Sequence, residues 1–243
     1  MLACIPHLDL NVSLGKAAGR LEQGILTTAI ILCCILGRQQ ATAQEIGKLY
    51  APRPPAGYAF VRVALADPAM SAKIQIDSSE APIGNTAVAT RYRVVKADKP
   101  VRISVGDRMI EQEIIPLAER FSTVVVTQHG ASWTGYMIDE GQSGSSDLKA
   151  QLRFFNLAAR CEASLKVAGG PVIFEATPTN GVRARSINPV QAQLIASCNG
   201  QNSAFTLPQL HSGDHYSLFF TEGAAQAPGL SGQFDETEPY TGR

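Results

Sequence analysis

Helix signals are almost missing beyond residue 50. No stretch there repeats apolar residues at three-and-four spacing, which excludes helical bundles and folds with crossover helices. Aromatic residues make up only 7% of the 243 positions, modest for a surface that stacks on sugars. Charge of one sign is missing as well, because 21 Lys and Arg face 21 Asp and Glu. Without a net field or a basic run, nucleic acid and acidic membrane are not natural partners. Neither a glycine-rich phosphate loop nor an interleaved basic–aromatic set for single strands occurs.

Catalytic sets are also missing. A serine hydrolase needs its serine on a sharp turn with a histidine base in reach. The segment "GQSGS", residues 141–145, does not fit the G-x-S-x-G pattern. In "GDR", residues 106–108, Arg108 stands where a GDS-type esterase would carry its nucleophile. Past residue 43 the histidines are His129, His211 and His215. The last two are four apart, but Ser212 and Gly213 argue a loop, and no third zinc ligand is suitably spaced. The acidic pairs Asp139–Glu140 and Asp235–Glu236 read as solvated turns at strand ends. Expected catalytic, cofactor-binding and metal-binding residues are therefore none, and the chain is expected not to be an enzyme.

One long hydrophobic run does occur, "GILTTAIILCCILG", residues 24–37. Its helix would be about 21 Å long, short of a hydrocarbon core of about 30 Å. "ATAQ" follows, with Ala41 and Ala43 at positions a signal peptidase prefers. Residues 1–43 read as an export signal, placing the mature protein in the periplasm. Loss of Lys16, Arg20, Arg38, Asp9 and Glu22 with it leaves 18 basic against 19 acidic residues. Cys4, Cys33 and Cys34 would leave too. Cys161 and Cys198 remain, either as a disulfide or as two buried thiols. A bond closing that 37-residue loop would contribute about 4 kcal/mol on the chain-entropy model.

What is present is period two. "YAFVRVALA" (58–66) sets Val61, Val63 and Leu65 on one face and Arg62 on the other. "AKIQID", "RYRVVKA", "VRISVG", "MIEQEII", "FSTVVVTQ" and "SWTGYMIDE" continue the series. "GDR" is a tight-hairpin signal between the fourth and fifth of these. A Gly- and Ser-rich stretch without apolar residues begins at 139. Then the strands return in the same order: "KAQLRFFNLA", "EASLKVAG", "PVQAQLIAS", "HYSLFFTEG" and "LSGQFDE" answer earlier segments. The expectation is an all-β fold of two tandem β-sandwich domains, immunoglobulin-like or jelly-roll-like, joined by a short Gly/Ser linker. Boundaries fall at 44–140 for the first domain, 141–148 for the linker and 149–243 for the second. Alternation along "SWTGYMIDE" suits Trp133 to the core or a domain interface, and Trp133 and Tyr136 are the weak candidate contacts to a sugar or a partner.

The stretch "LYAPRPPAGYAFVRV", from Leu49, resembles the mature amino terminus of the AlgF family of periplasmic alginate O-acetylation proteins. "LRFFNLA" (152–158), "RARSINPVQAQLIA" (183–196) and "HYSLFF" (215–220) resemble that family's later strands. The resemblance implies a non-catalytic adaptor in exopolysaccharide O-acetylation, acting on mannuronate in alginate biosynthesis. Implied partners are acetylesterase-like O-acetyltransferases of the periplasm and a membrane-bound O-acyltransferase, with the polysaccharide as a further candidate. It implies no catalytic residue, because the family motif has none to match. The alternative reading is a carbohydrate-binding or surface-scaffold protein, such as one serving acetylated cellulose export.

Overall fold

Period two governs the observed chain. The computed structural model describes residues 53–70, 72–142, 148–222 and 228–239, and no helix occurs among them. The expected export signal and part of the expected linker, residues 143–147, lie outside the described residues. The described residues fall within one compact unit, Lys48–Arg243.

Sixteen strands follow one another among the described residues. The first eight are β1 (Tyr58–Leu65), β2 (Ile74–Ile76), β3 (Ser79–Glu80), β4 (Arg93–Lys96), β5 (Ile103–Val105), β6 (Arg108–Met109), β7 (Phe121–His129) and β8 (Ser132–Gly141). The second eight are β9 (Ala150–Asn156), β10 (Ala163–Val167), β11 (Val172–Thr177), β12 (Gly181–Ile187), β13 (Ala192–Cys198), β14 (Gln201–Leu207), β15 (His215–Glu222) and β16 (Pro228–Phe234). They form four sheets of four strands. The first sandwich pairs an inner sheet, β4-β1-β7-β8, with an outer sheet, β3-β2-β5-β6. The second pairs β12-β9-β15-β16 with β11-β10-β13-β14. Adding eight to every strand of the first sandwich gives the order of the second. Even the central pairs match, β1 with β7 and β9 with β15, both parallel. The protein is thus an all-β chain of two tandem sandwiches.

Each sandwich has its own core. Ala59, Val61, Val63 and Leu65 of β1 meet Ile74, Ile76, Ile103 and Val105 of the first outer sheet. Leu152, Phe154, Leu218 and Phe220 meet Leu165, Leu194 and Ala196 in the second. The inner sheets are covered on their other faces as well. There Ala64, Val125 and Ile138 of the first sandwich pack with Phe155, Leu157 and Phe219 of the second. Phe155 and Phe219 stack at 4.9 Å, and each such fully buried side chain contributes about 1.5–3 kcal/mol. Burial on both faces is why "FSTVVVTQ" and "LRFFN" read as nearly continuous apolar runs, as central strands of covered sheets do.

Local chemistry sets the turns. Asn199 and Gly200 both take positive φ, 47° and 80°, and link Cys198 to Gln201 in a two-residue hairpin. Gly106, at φ 61°, opens the two-residue turn between Val105 and Arg108. The strand expected at "MIEQEII" is short, however. It ends at Met109, and Ile114 makes only an isolated bridge to Val101. Glu111 N–H turns instead to Trp133 O. Cys161 and Cys198 are joined by a disulfide with Cα atoms 5.8 Å apart, tying the start of β10 to the end of β13.

Candidate functional site: a buried charged seam and an open groove

Register defines which residues of the two sandwiches are equivalent. Arg62 of β1 lies opposite Thr123 of β7, and Arg153 of β9 lies opposite Ser217 of β15. Thr123 in turn faces Ile138, and Ser217 faces Gln233. Glu140 and Asp235 therefore hold equivalent positions, two residues further along β8 and just past β16. In the sequence "LSGQFDE" answers "WTGYMIDE" with Asp235 level with Asp139; the paired strands make Asp235 the equivalent of Glu140 instead.

The two sets converge between the inner sheets. Arg62 donates from Nε to Thr123 Oγ1 at 2.8 Å, from Nη1 to Asp235 Oδ1 at 2.7 Å and from Nη2 to Ser217 Oγ at 2.9 Å. Thr123 Oγ1 donates in turn to Glu140 Oε1 at 2.5 Å, and Ser217 donates to Asp235 Oδ1 at 2.7 Å. Arg153 donates from Nη1 to Asp235 Oδ2 at 2.9 Å. Its Nε lies 3.3 Å from Glu140 Oε2, near enough for charge attraction but outside hydrogen-bond geometry. Tyr92 Oη donates to the same oxygen at 2.7 Å. Three rings surround the Arg62 guanidinium, Tyr92 at 4.4 Å and Phe155 and Phe219 at 5.1 Å.

Side-chain exposure is 0% for Arg62 and Glu140, 3% for Arg153 and 6% for Asp235. The expectation that Glu140 and Asp235 sit in solvated turns is overturned. Glu140 lies in β8 and Asp235 directly follows β16, and the face of each of these inner-sheet strands is covered by the other sandwich. Two positive and two negative charges cancel within the seam, as isolated buried ions would each cost several kcal/mol. Burial works against the Arg62 charge, yet Tyr92, Asp235 and Glu140 around it hold its pKa above the ordinary value. Burial likewise opposes the Asp235 carboxylate, but Arg62 and Arg153 outweigh it and keep the pKa below the usual range. The Tyr92 phenol is pushed well up, first by burial. Sequence reasoning missed this seam. Its signal was an arginine inside an apolar strand at matching places in both halves.

The tail after β16 crosses to the first sandwich. Tyr92 N–H donates to Glu236 O at 2.8 Å, and Glu238 N–H donates to Tyr92 O at 2.7 Å, so the tail pairs parallel with the chain entering β4. Arg93 clasps Glu238 through two bonds of 2.7 and 2.8 Å and also donates to the carbonyls of Ile76, Ser79 and Glu80. The Gln233 carboxamide accepts from Val88 and Ala89 N–H, both at 3.0 Å, and donates to Ala89 O.

These contacts leave a groove of about 1080 Å³ between the sandwiches. One wall is the link from β3 to β4, with Pro82, Ile83 and Arg91; the other is β16, with Gly232 and Phe234. Phe234 is 42% exposed and meets Tyr216 edge-on at 5.0 Å. Arg91 pairs with Glu236 at 2.6 Å across the rim, both more than half exposed. Trp133 lies elsewhere, 8% exposed within the first core, and Tyr136 is half-buried against the contact between the sandwiches. The three histidines do not come together: His215 approaches Arg153 at 3.4 Å, and His211 lies in a loop beside Asp214. Among the described residues no three His, Cys, Asp or Glu side chains gather as metal ligands.

The fold and the seam define a class, tandem β-sandwiches fused through their inner sheets. No family model matches the chain, and no curated protein matches it. Among solved structures, the family CBM26 module from Eubacterium rectale Amy13K, in complex with maltoheptaose, is similar at 8% identity. That match covers 74% of this chain and 98% of the module, with a TM-score of 0.24. A candidate cell adhesion protein from Bacteroides ovatus is similar at 11% identity, over 76% of this chain and 99% of its own, also at 0.24. Likeness of that degree carries no information about ligands.

Proposed function

We propose that the chain is a non-catalytic periplasmic accessory protein for exopolysaccharide O-acetylation. It holds the acetylesterase-like O-acetyltransferases and the membrane-bound O-acyltransferase together while acetyl groups are placed on mannuronate. The observation that carries this reading is where the buried charge goes. Arg62, Arg153, Glu140 and Asp235 are committed to one another across the two sandwiches, which suits a scaffold and leaves no free acid or base within the seam. The resemblance of residues 49–63, 152–158, 183–196 and 215–220 to alginate O-acetylation adaptors supplies the pathway. Deletion of the gene, followed by acetyl quantification of the secreted polymer, tests it. Acetylation should fall to near zero and return with the wild-type gene; unchanged acetylation refutes the proposal.

The alternative, direct carbohydrate binding, keeps one supporting feature, an exposed phenylalanine beside a groove. Titration with alginate, cellulose and acetylated fragments separates the two, since an adaptor of this kind binds none of them below millimolar concentration.

A further inference from the structure

Register extends the equivalence of the two sandwiches to their edge strands β4 and β12. Val61 and Leu152 precede the matched arginines Arg62 and Arg153. Val61 pairs with Arg93, and Leu152 pairs with Arg185. Arg93 and Arg185 are therefore equivalent. One residue earlier Tyr92 matches Ala184, and two residues earlier Arg91 matches Arg183. Both strands end their inner sheets. In both, arginines reach across to backbone carbonyls of the outer sheet. Arg93 donates to the carbonyls of Ile76, Ser79 and Glu80, Arg185 to that of Ile173 and Arg183 to that of Ala176.

In the first sandwich this edge is occupied by the chain's own tail. Tyr92 N–H donates to Glu236 O and Glu238 N–H donates to Tyr92 O, while Glu236 pairs with Arg91 and Glu238 with Arg93. Tyr92 is left 1% exposed. In the second sandwich Arg183, Ala184, Arg185 and Ser186 are all exposed. Neither arginine meets a carboxylate among the described residues. The Ala184 backbone also points the right way. Gln151 N–H donates to Asp214 O and Leu157 N–H to Phe220 O, so odd residues of β9 turn toward β15 and even ones toward β12. Leu152 and Phe154 pair with Arg185 and Arg183, whose backbones therefore face β9. Ala184, between them, faces outward.

We propose that the β12 edge docks an extended segment of another protein that carries two acidic residues separated by one. The segment lies parallel to β12, exchanges backbone hydrogen bonds with Ala184 and sets its carboxylates on Arg183 and Arg185. The first sandwich identifies this chemistry, because Glu236 and Glu238 fill the equivalent place there. Side chains two apart on a strand share a face about 6.6–6.8 Å apart, so the arginines fix the spacing of the acids. The tail itself is not the occupant, being committed to Arg91, Tyr92 and Arg93. This rests on the adaptor reading above and gives it a partner-binding site.

The probe is the synthetic peptide "QFDETEP", the sequence of residues 233–239, titrated into the full chain. It should bind saturably below about 1 mM, weaken as salt rises and protect the Ala184 amide from hydrogen exchange. Arg183→Gln combined with Arg185→Gln should weaken it at least tenfold. A peptide with glutamine at both glutamate positions should lose as much, and that comparison needs no substitution in the chain. Arg185→Glu should reject the probe and accept a peptide with lysine at the second glutamate position. Absence of saturable binding, equal affinity for the glutamine peptide or for the double variant, or protection that spares Ala184 overturns the proposal. So does protection of Ala184 that grows with protein concentration alone, which would mean a second copy, or that alginate fragments produce. Failure of this site is distinguishable from failure of the adaptor reading. A strain carrying the double variant that acetylates normally, where deletion abolishes acetylation, removes the site and keeps the function. Peptide protection at Ala184 with normal acetylation after deletion keeps the site and removes the function.

Discussion

The two sandwiches share every strand and every pairing, yet they differ where β3 passes to β4 and β11 passes to β12. In the second sandwich that link is a turn of three residues, 178–180, between long strands. In the first it is residues 81–92, running from a two-residue β3 along the inner sheet before β4 begins. Val88 and Ala89 of this link are buried between the sandwiches, and Pro82, Ile83 and Arg91 build one wall of the groove. Repetition thus explains the frame, and the break in repetition explains the groove. The arginines show the same lesson on a smaller scale. Arg62 and Arg153 are equivalent by register, but Arg62 makes three side-chain bonds within a cage of three rings. Arg153 donates to one carboxylate and lies over one ring, Phe121, at 5.8 Å.

Breaking that near-symmetry should give the largest effect. Arg62→Met strips Asp235, Thr123 and Ser217 of a shared partner and should cost about 3–5 kcal/mol, the range for removing one member of a buried pair. Arg153→Met should cost less, because Arg62 still compensates Asp235. Urea unfolding followed by both fluorescence and circular dichroism measures the difference. Because the seam belongs to both sandwiches, wild type should unfold in one transition; two separated transitions would show that the halves are energetically independent.

The disulfide sharpens the comparison next. Only the second sandwich has one, and its 37-residue separation predicts about 4 kcal/mol of stabilisation on the chain-entropy model. Cys161→Ala with Cys198→Ala should lower the urea midpoint by a corresponding amount. If the seam couples the halves, the first sandwich should lose stability in step, read from the fluorescence of Trp133 in its core.

Much of this architecture was legible from period two and from the order of echoing segments. "YAFVRVALA" and "KAQLRFFNLA" are indeed β1 and β9, and "AKIQID" and "EASLKVAG" contain β2 and β10. What stayed hidden was the contact between sandwiches. Alternation along β1 tells that Arg62 faces away from Val61 and Val63, but it does not tell whether that second face meets water or another sheet. Edge strands were hard to see for a related reason. In "RARSI" of β12 four residues are exposed, so no apolar stripe marks it. The seam depends on register, and a shift of one residue in the match of β8 with β16 was enough to conceal that Glu140 and Asp235 are partners in one design.

The smallest effect concerns His215, whose equivalent in the first sandwich is Phe121. Both rings approach Arg153, but only the imidazole takes a proton. Burial first, and then the Arg153 charge, hold its pKa below the ordinary value, with Asp235 and Asp214 opposing in part. A folded pKa below the unfolded one, about 6.5, means that this contribution is complete above that pH and is lost as pH falls toward the folded value. Asp235, also depressed, adds a second loss below about pH 4. Tyr92 acts oppositely: its raised pKa costs stability only as pH rises past about 10. Stability should therefore be flat from about pH 7 to 9 and decline as pH falls below about 6.5, by no more than about 1.4 kcal/mol per pH unit for one proton. His215→Phe copies the first sandwich at this position. It should abolish the decline that begins below about pH 6.5 and leave the acid loss from Asp235 in place. A decline that survives the substitution would mean that another group carries it, and that the Phe121–His215 difference has no consequence for stability.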